Sequence, residues 1–293
     1  QPLFTKASVG RWNDARWSNA ANKTLWPLYQ SPRHIVRLQC ILSFYFDSHV
    51  NGDHLNVNLL DLILLETLRI HFPTVYEDVS RGFRRINDPL YTYYYSNDTA
   101  LKRIRAGITK NIQDARIDEH LKEPLKALLE ELFPQGKEHF KHSQDEEFVW
   151  LKEMRLCHAK HFPKYFHLTL EEGEITAESI NELMSESVTP QQIRKLLNQQ
   201  FETSEGFDAI CEYLQALSEE IPRSVLPLII QELFELSDHL PATDEFSFTA
   251  MDTLHKLCDI VKLLLDQEPD QGERDHIYLS HLQDATALIG PAF

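Results

Sequence analysis

The sequence predicts an all-α fold class: a multi-helix bundle followed by a small solenoid-like array of helical hairpins. Three observations predict it. The first is composition. The 293 residues include only 9 Gly and 14 Pro, whereas doubly wound and barrel enzymes use more glycine in tight turns and phosphate loops. Leu, Glu, Gln, Lys and Ala, all good helix formers, are frequent. The second is punctuation. Ser31-Pro32 and Thr189-Pro190 each place a capping hydroxyl before a proline at the first helical position. The third is periodicity, with apolar residues recurring at three- and four-residue intervals in segment after segment.

In chain order, the Ser31-Pro32 signal starts a helix that runs toward Val50. Asn58 can cap Leu59–Phe72, which Pro73 ends or kinks. Further helices are predicted over Val75–Ile86, Asp98–Arg116, Leu121–Leu132 and Glu146–Cys157. The second half reads as shorter helices: Thr176–Ser185, Thr189–Phe201, Ser204–Ser218, Pro222–Leu240, Phe248–Asp266 and Glu273–Ile289. Their lengths suggest stacked hairpins, although no motif repeats at a fixed period. The best strand signal is the loose alternation of Tyr165–Leu170. Asp61, Glu66 and Arg69 fall within an otherwise apolar helix, so they are expected to pair there.

The net charge of −16 is unevenly placed. Residues 1–170 carry 23 Lys/Arg against 20 Asp/Glu, and residues 171–293 carry 6 against 25. Such a shift suggests two modules with different surfaces, divided near Glu171. Residues 1–50, 51–170 and 171–293 are read as three successive domains. The chain begins at Gln1 and its first methionine is Met154, so a longer parent is expected. Neither a signal peptide nor an apolar run of the ~20 residues a span needs is present, so no membrane role is expected. Cys40, Cys157, Cys211 and Cys258 form no Cys-x-x-Cys motif; they read as buried thiols in a cytoplasmic protein.

Several chemistries lack their motifs. There is no Gly-x-x-x-x-Gly-Lys-Ser/Thr loop to wrap phosphates, no His-Glu-x-x-His and no Gly-x-Ser-x-Gly. This chain alone is therefore not expected to hydrolyse a nucleotide, and no catalytic residue is assigned. His139 with His142, and His158 with His161, have helical metal-ligand spacing, but a structural zinc wants four ligands and no further set is evident. No metal is assigned. The stretch 81–116 is basic and tyrosine-rich: Arg81, Arg84, Arg85, Lys102, Arg103 and Arg105 flank Tyr91, Tyr93, Tyr94 and Tyr95. Arginine with aromatics suits phosphate contact and base stacking, and equally a protein partner or a solvated helix face.

Four segments in order carry a family resemblance. They are Thr24-Leu-Trp-Pro-Leu-Tyr-Gln-Ser-Pro-Arg-His-Ile-Val-Arg-Leu38, the apolar helix from Asn56 into Phe72-Pro-Thr-Val-Tyr76, Leu128-Leu-Glu-Glu-Leu-Phe-Pro134, and Arg155-Leu-Cys-His-Ala-Lys-His-Phe-Pro-Lys-Tyr-Phe-His-Leu168. Together, over roughly residues 11–180, they resemble the region after the nucleotide-binding core of bacterial KAP-family P-loop NTPases. Gln39 or Cys40 stands where the family has Asn.

The resemblance implies that the phosphate loop and magnesium-binding strand lie N-terminal to Gln1, so ATP and Mg belong to the parent and neither is bound by this chain alone. It implies a remnant of the nucleotide lid in residues 1–50. It also implies a parent ATPase that serves as a switch or scaffold, in bacteria in defence against phages. Arg33 and Arg37, four apart on one helix face, are then the nucleotide-contacting pair, since a guanidinium fork stays charged and matches phosphate oxygens. An exposed or salt-bridged arginine pair is the plain alternative. The partners expected are the missing NTPase domain of the same parent and another protein on the acidic half. Two other functions are open: a stand-alone helical adaptor, or a nucleic-acid binder through residues 81–116.

Overall fold

The computed structural model describes residues 12–51, 54–86, 117–137, 143–166, 174–237 and 248–282. The chain divides into two compact units, Gln1–Leu170 and Glu171–Phe293. Among the described residues the architecture is an all-α, multi-helix bundle, with one two-residue antiparallel pairing of β1 (Val50–Asn51) with β2 (His54–Leu55).

In the first unit, helix α1 runs from Asp14 to Ala20, passes through a π-helical segment at Ala21–Leu25 and ends as Trp26–Leu28. It is followed by α2 (Pro32–His49), α3 (Leu59–His71), α4 (Pro73–Ile86), α5 (Glu119–Leu132) and α6 (Gln144–Lys152). Helix α3 is the centre. Every residue from Leu59 to Leu68 is buried, Asp61, Glu66 and Thr67 among otherwise apolar side chains, as expected of a helix at the centre of a core. Helices α2, α4 and α5 pack against it, and α1 packs on α5. Burying one such leucine contributes ~1.5–3 kcal/mol, so α3 supplies much of this unit's stability. Asn58 caps α3 by accepting the Asp61 N–H at 3.2 Å.

The sequence placed the end of α6 at Cys157, but the helix stops at Lys152. Met154 takes a left-handed backbone, φ 52°, and is buried. For a residue with a Cβ this costs on the order of 1 kcal/mol. It is held because the Met154 carbonyl accepts the Tyr165 hydroxyl at 2.8 Å and the Asn58 N–H at 3.2 Å. The chain then turns inward and places Arg155 in the core. Tyr165 is not in a strand; Pro163–Tyr165 is a 3-10 turn, and residues 167–170 lie outside the described residues.

The second unit contains α7 (Ala177–Leu183), α8 (Pro190–Phe201), α9 (Ser204–Leu217), α10 (Leu226–Ser237), α11 (Phe248–Leu265) and α12 (Gln271–Leu282). Thr176, Thr189 and Thr203 cap α7, α8 and α9, and Thr189 forms a full capping box with Gln192. Helix α8 packs on both α9 and α10, and α11 packs on the same two. Arg194 fastens α8 to α10 through a two-pronged bond to Glu232 at 2.7 and 3.1 Å and a further bond to Glu235. No helix among the described residues is long and apolar enough to cross a membrane.

Candidate functional site

The site begins where α2 begins. Proline cannot donate a backbone hydrogen bond, so it fits the first helical position, and Ser31 serves the next residues. The Ser31 hydroxyl accepts the Arg33 N–H at 3.3 Å and its carbonyl accepts the His34 N–H at 3.1 Å. Among its described side chains, helix α2 buries one stripe, including Leu42 and Tyr45, against the core. Arg33, Arg37, Cys40 and Phe44, spaced at i, i+4, i+7 and i+11, line up on the opposite, exposed face. Ile35, Val36 and Phe44 are each at least half exposed, and Trp26 just before them is 66% exposed. This is a large apolar display for one short stretch.

Arg33 and Arg37 are both exposed, and neither guanidinium forms an ion pair or hydrogen bond among the described residues. With His34 and Val36 they line an open depression of about 490 Å³. No acidic side chain is among those lining residues. The depression therefore suits an anion, which two free guanidiniums can grip in a fork.

Beneath it, α2 meets α3 through two imidazoles. The His34 and His71 rings lie 4.7 Å apart and nearly perpendicular, at 83°. Tyr29 packs edge-on against the other side of His71 at 5.0 Å. Thr67 gives its hydroxyl proton to the Ile63 carbonyl at 2.7 Å, so in the 3.0 Å Tyr29–Thr67 bond it is Tyr29 that donates. His34 Nδ1 and His71 Nε2 are buried and make no hydrogen bond among the described residues. A buried polar atom left in this state costs ~1–3 kcal/mol. Burial, then His34, then Arg37 lower the His71 pKa to about 4.

Glu66 is one turn away, fully buried, with Arg69 Nε at 3.3 Å. Burial raises its carboxyl pKa, and Arg69 opposes that rise. Burial and Glu66 together push the Tyr45 hydroxyl to about 12. The expected pairing within α3 thus holds for Glu66 and Arg69. Asp61 departs from it: its carboxylate takes Arg16 Nη2 at 2.6 Å, Arg155 Nε at 2.8 Å and the Leu156 N–H at 2.8 Å. Arg16 also reaches Glu131 at 2.7 Å, and Arg155 donates to the Glu131 carbonyl at 2.8 Å. A carboxylate on a buried helix draws partners from α1 and from the turn after α6, because buried charge needs more than one donor.

Of the other sequence candidates, Arg81, Arg84 and Arg85 fall within α4, with side chains outside the described residues. Lys102, Arg103 and Arg105, and the pair His139 and His142, lie outside them altogether. His158 and His161 sit in turns rather than on a helix. Burial, then Lys160, lower the His158 pKa to about 4. His161 Nε2 meets the Leu151 carbonyl at 3.0 Å. Among the described residues no three His, Cys, Asp or Glu side chains group to hold a metal. All four cysteines are free thiols, and Cys40 is exposed rather than buried. His71 and Tyr29 were invisible as site residues in the sequence, since no spacing rule links His34 to a ring 37 positions later.

Comparison with known proteins returns no matching family model, no matching curated protein and no matching solved structure.

Proposed function

We propose that this chain is the helical regulatory and partner-binding portion of a KAP-like ATPase, in a bacterial parent that acts in defence against phages. In this reading α2 is the lid helix, and the nucleotide-binding domain of the same parent covers its exposed face. The supporting observation is the pair Arg33 and Arg37, exposed, without an ion pair or hydrogen bond among the described residues, and side by side on an otherwise apolar helix face. Two unpaired guanidiniums fit the terminal phosphate of ATP, where they would orient it and balance its charge. Val36, Cys40 and Phe44 would then pack on the covering domain. The helices of the second unit form a short hairpin array whose acidic surface meets a protein partner.

The test is ATP binding and turnover by the full-length gene product and by its Arg33→Ala, Arg37→Ala variant. A charge-stabilising arginine contributes roughly 10³-fold or more to phosphoryl transfer. The expected result is a folded variant with turnover reduced to that extent. A full-length protein that neither binds nor hydrolyses ATP would overturn the reading. The stand-alone adaptor would then be favoured, because the exposed Trp26, Ile35, Val36 and Phe44 suit a protein partner without any nucleotide.

A further inference from the structure

We infer that His34 and His71 make the Arg33–Arg37 face a proton-linked site for a tetrahedral phosphoryl anion, one that takes up a proton as the anion binds. This rests on reading the two arginines as phosphate contacts, and it adds how that contact is regulated.

The geometry carries the inference. His34 lines the depression beside Arg33 and Arg37. His71 stands directly behind it, its ring held between His34 and Tyr29. Each imidazole keeps one buried nitrogen, His34 Nδ1 and His71 Nε2, without a hydrogen bond among the described residues. Native proteins seldom leave such atoms unpaired, and an unpaired buried group calls for a reason in ligand binding or proton transfer. A neutral His71 has capacity for a further proton, and Arg37 is one of the charges that keeps it off.

An anion seated against Arg33 and Arg37 reverses the local field. Repulsion from Arg37 is then balanced, and an imidazolium beneath the anion is stabilised. The groups facing His71 are Tyr29 from the end of α1, His34 and Arg37 from α2, and Phe72 after its own helix. On α3 the next charged pair is Glu66 with Arg69, and Glu66 also feels Arg37. An ionised Glu66 competes with the anion for Arg37. Its neutralisation would strengthen binding in the same direction of pH, so the readout must resolve individual histidines.

The experiment is an NMR titration of the imidazole nitrogens and the arginine Nε–H groups in the 293-residue chain. It runs from pH 4.5 to pH 8 at fixed ionic strength, with and without sulfate, a tetrahedral dianion that does not itself titrate in this range. The expected result is a rise of the His71 midpoint from about 4 by at least about one unit in sulfate, which corresponds to ~10-fold tighter binding to the protonated than to the neutral form, of which about threefold is read between pH 8 and pH 4.5. His71→Phe keeps an aromatic ring in place and should bind sulfate with that pH dependence flattened. A merely structural His71 would leave the pH dependence intact in this variant.

Tripolyphosphate and ATP are titrated alongside. Equal responses assign the site to the phosphate chain, and a tighter ATP response assigns it to a nucleotide. If sulfate shifts the Arg37 Nε–H while both histidine midpoints stay fixed, the proton linkage is wrong and the arginine reading survives. If neither arginine nor histidine responds to any of the three anions, both readings fall.

Discussion

Asp61 and Arg155, 94 positions apart in sequence, meet at 2.8 Å from carboxylate oxygen to guanidinium Nε inside the first unit's core. Burial works against the Arg155 charge, and Asp61 more than restores it, so the guanidinium pKa ends above its ordinary value. The two side chains are 5% and 0% exposed.

Asp61→Ala should therefore be severe. It leaves buried Arg155 without its close countercharge, the remaining ion pair being to Glu153 at 3.9 Å, and breaking such a pair from one side costs about 3–5 kcal/mol. That is a large share of a typical stability of ~5–15 kcal/mol. Arg16→Ala should cost less, because the Arg16 side chain is 15% exposed and Arg155 still holds Asp61. Urea midpoints at neutral pH rank the two. Equal losses would mean that Arg155 is not the group left stranded.

Gly206→Ala sets two effects against each other. In a helix, alanine is favoured over glycine by ~1 kcal/mol. At this position, however, an added Cβ would lie 2.5 Å from the Gln200 carbonyl oxygen and 2.9 Å from the Thr203 hydroxyl that caps α9. The backbone oxygen cannot rotate away, so the clash prevails. The variant should lose about 1–3 kcal/mol rather than gain. A raised thermal midpoint would show that the turn between α8 and α9 can open freely.

Much of this was legible in the sequence. Asn58, Thr176 and Thr189 announced helix starts because capping is a local rule, read from neighbouring residues. The largely apolar run of α3 announced a helix whose few charged residues need partners, again from neighbouring residues. Arg33 and Arg37 could be placed on one face from their spacing alone. What was not legible depends on distant packing. The carboxylate of Asp61 is satisfied from Arg16 and Arg155, the end of α6 is fixed by Tyr165 holding Met154, and His71 comes under His34 only because α2 packs on α3.

His158 predicts an acid sensitivity. Its pKa is lowered from about 6.5 in the unfolded chain to about 4 in the fold, first by burial and then by Lys160. The unfolded chain therefore binds the proton more readily. The stabilisation from keeping His158 neutral is complete above pH 6.5 and is lost as pH falls from 6.5 through 4. Between pH 7.5 and pH 5 this one group should remove about 2 kcal/mol. His158→Asn, which keeps an acceptor for the Lys160 N–H, should show a correspondingly flatter dependence of the urea midpoint on pH. An unchanged slope would mean that His158 can charge within the fold.

The thiols should separate by exposure. Cys40 lies on the open face of α2, whereas Cys157 and Cys211 are buried and Cys258 is partly so. Burial also pushes the Cys157 thiol to about 12, where the reactive thiolate is scarce. An aromatic disulfide reagent at pH 8 should give one fast equivalent, lost in Cys40→Ser, and full reaction only in denaturant. A slow Cys40 would show that the α2 face is covered in solution.

The double variant Arg33→Ala, Arg37→Ala separates a structural arginine pair from one kept for a ligand. Neither guanidinium has an ion pair or hydrogen bond to lose among the described residues, and the attraction of Arg37 is the smallest of the influences on buried Glu66, so stability should change by no more than about 0.5 kcal/mol. Removing Arg37 also removes one of the charges that holds the His71 proton off, so the His71 midpoint should move upward from about 4. Chemical denaturation gives the first quantity and imidazole NMR the second. A loss above about 2 kcal/mol would place the pair in the fold's own support. A fixed His71 midpoint would show that Arg37 does not act on that ring. The expected outcome is an unchanged fold with a more basic His71, which is what an anion site stripped of its cations should show.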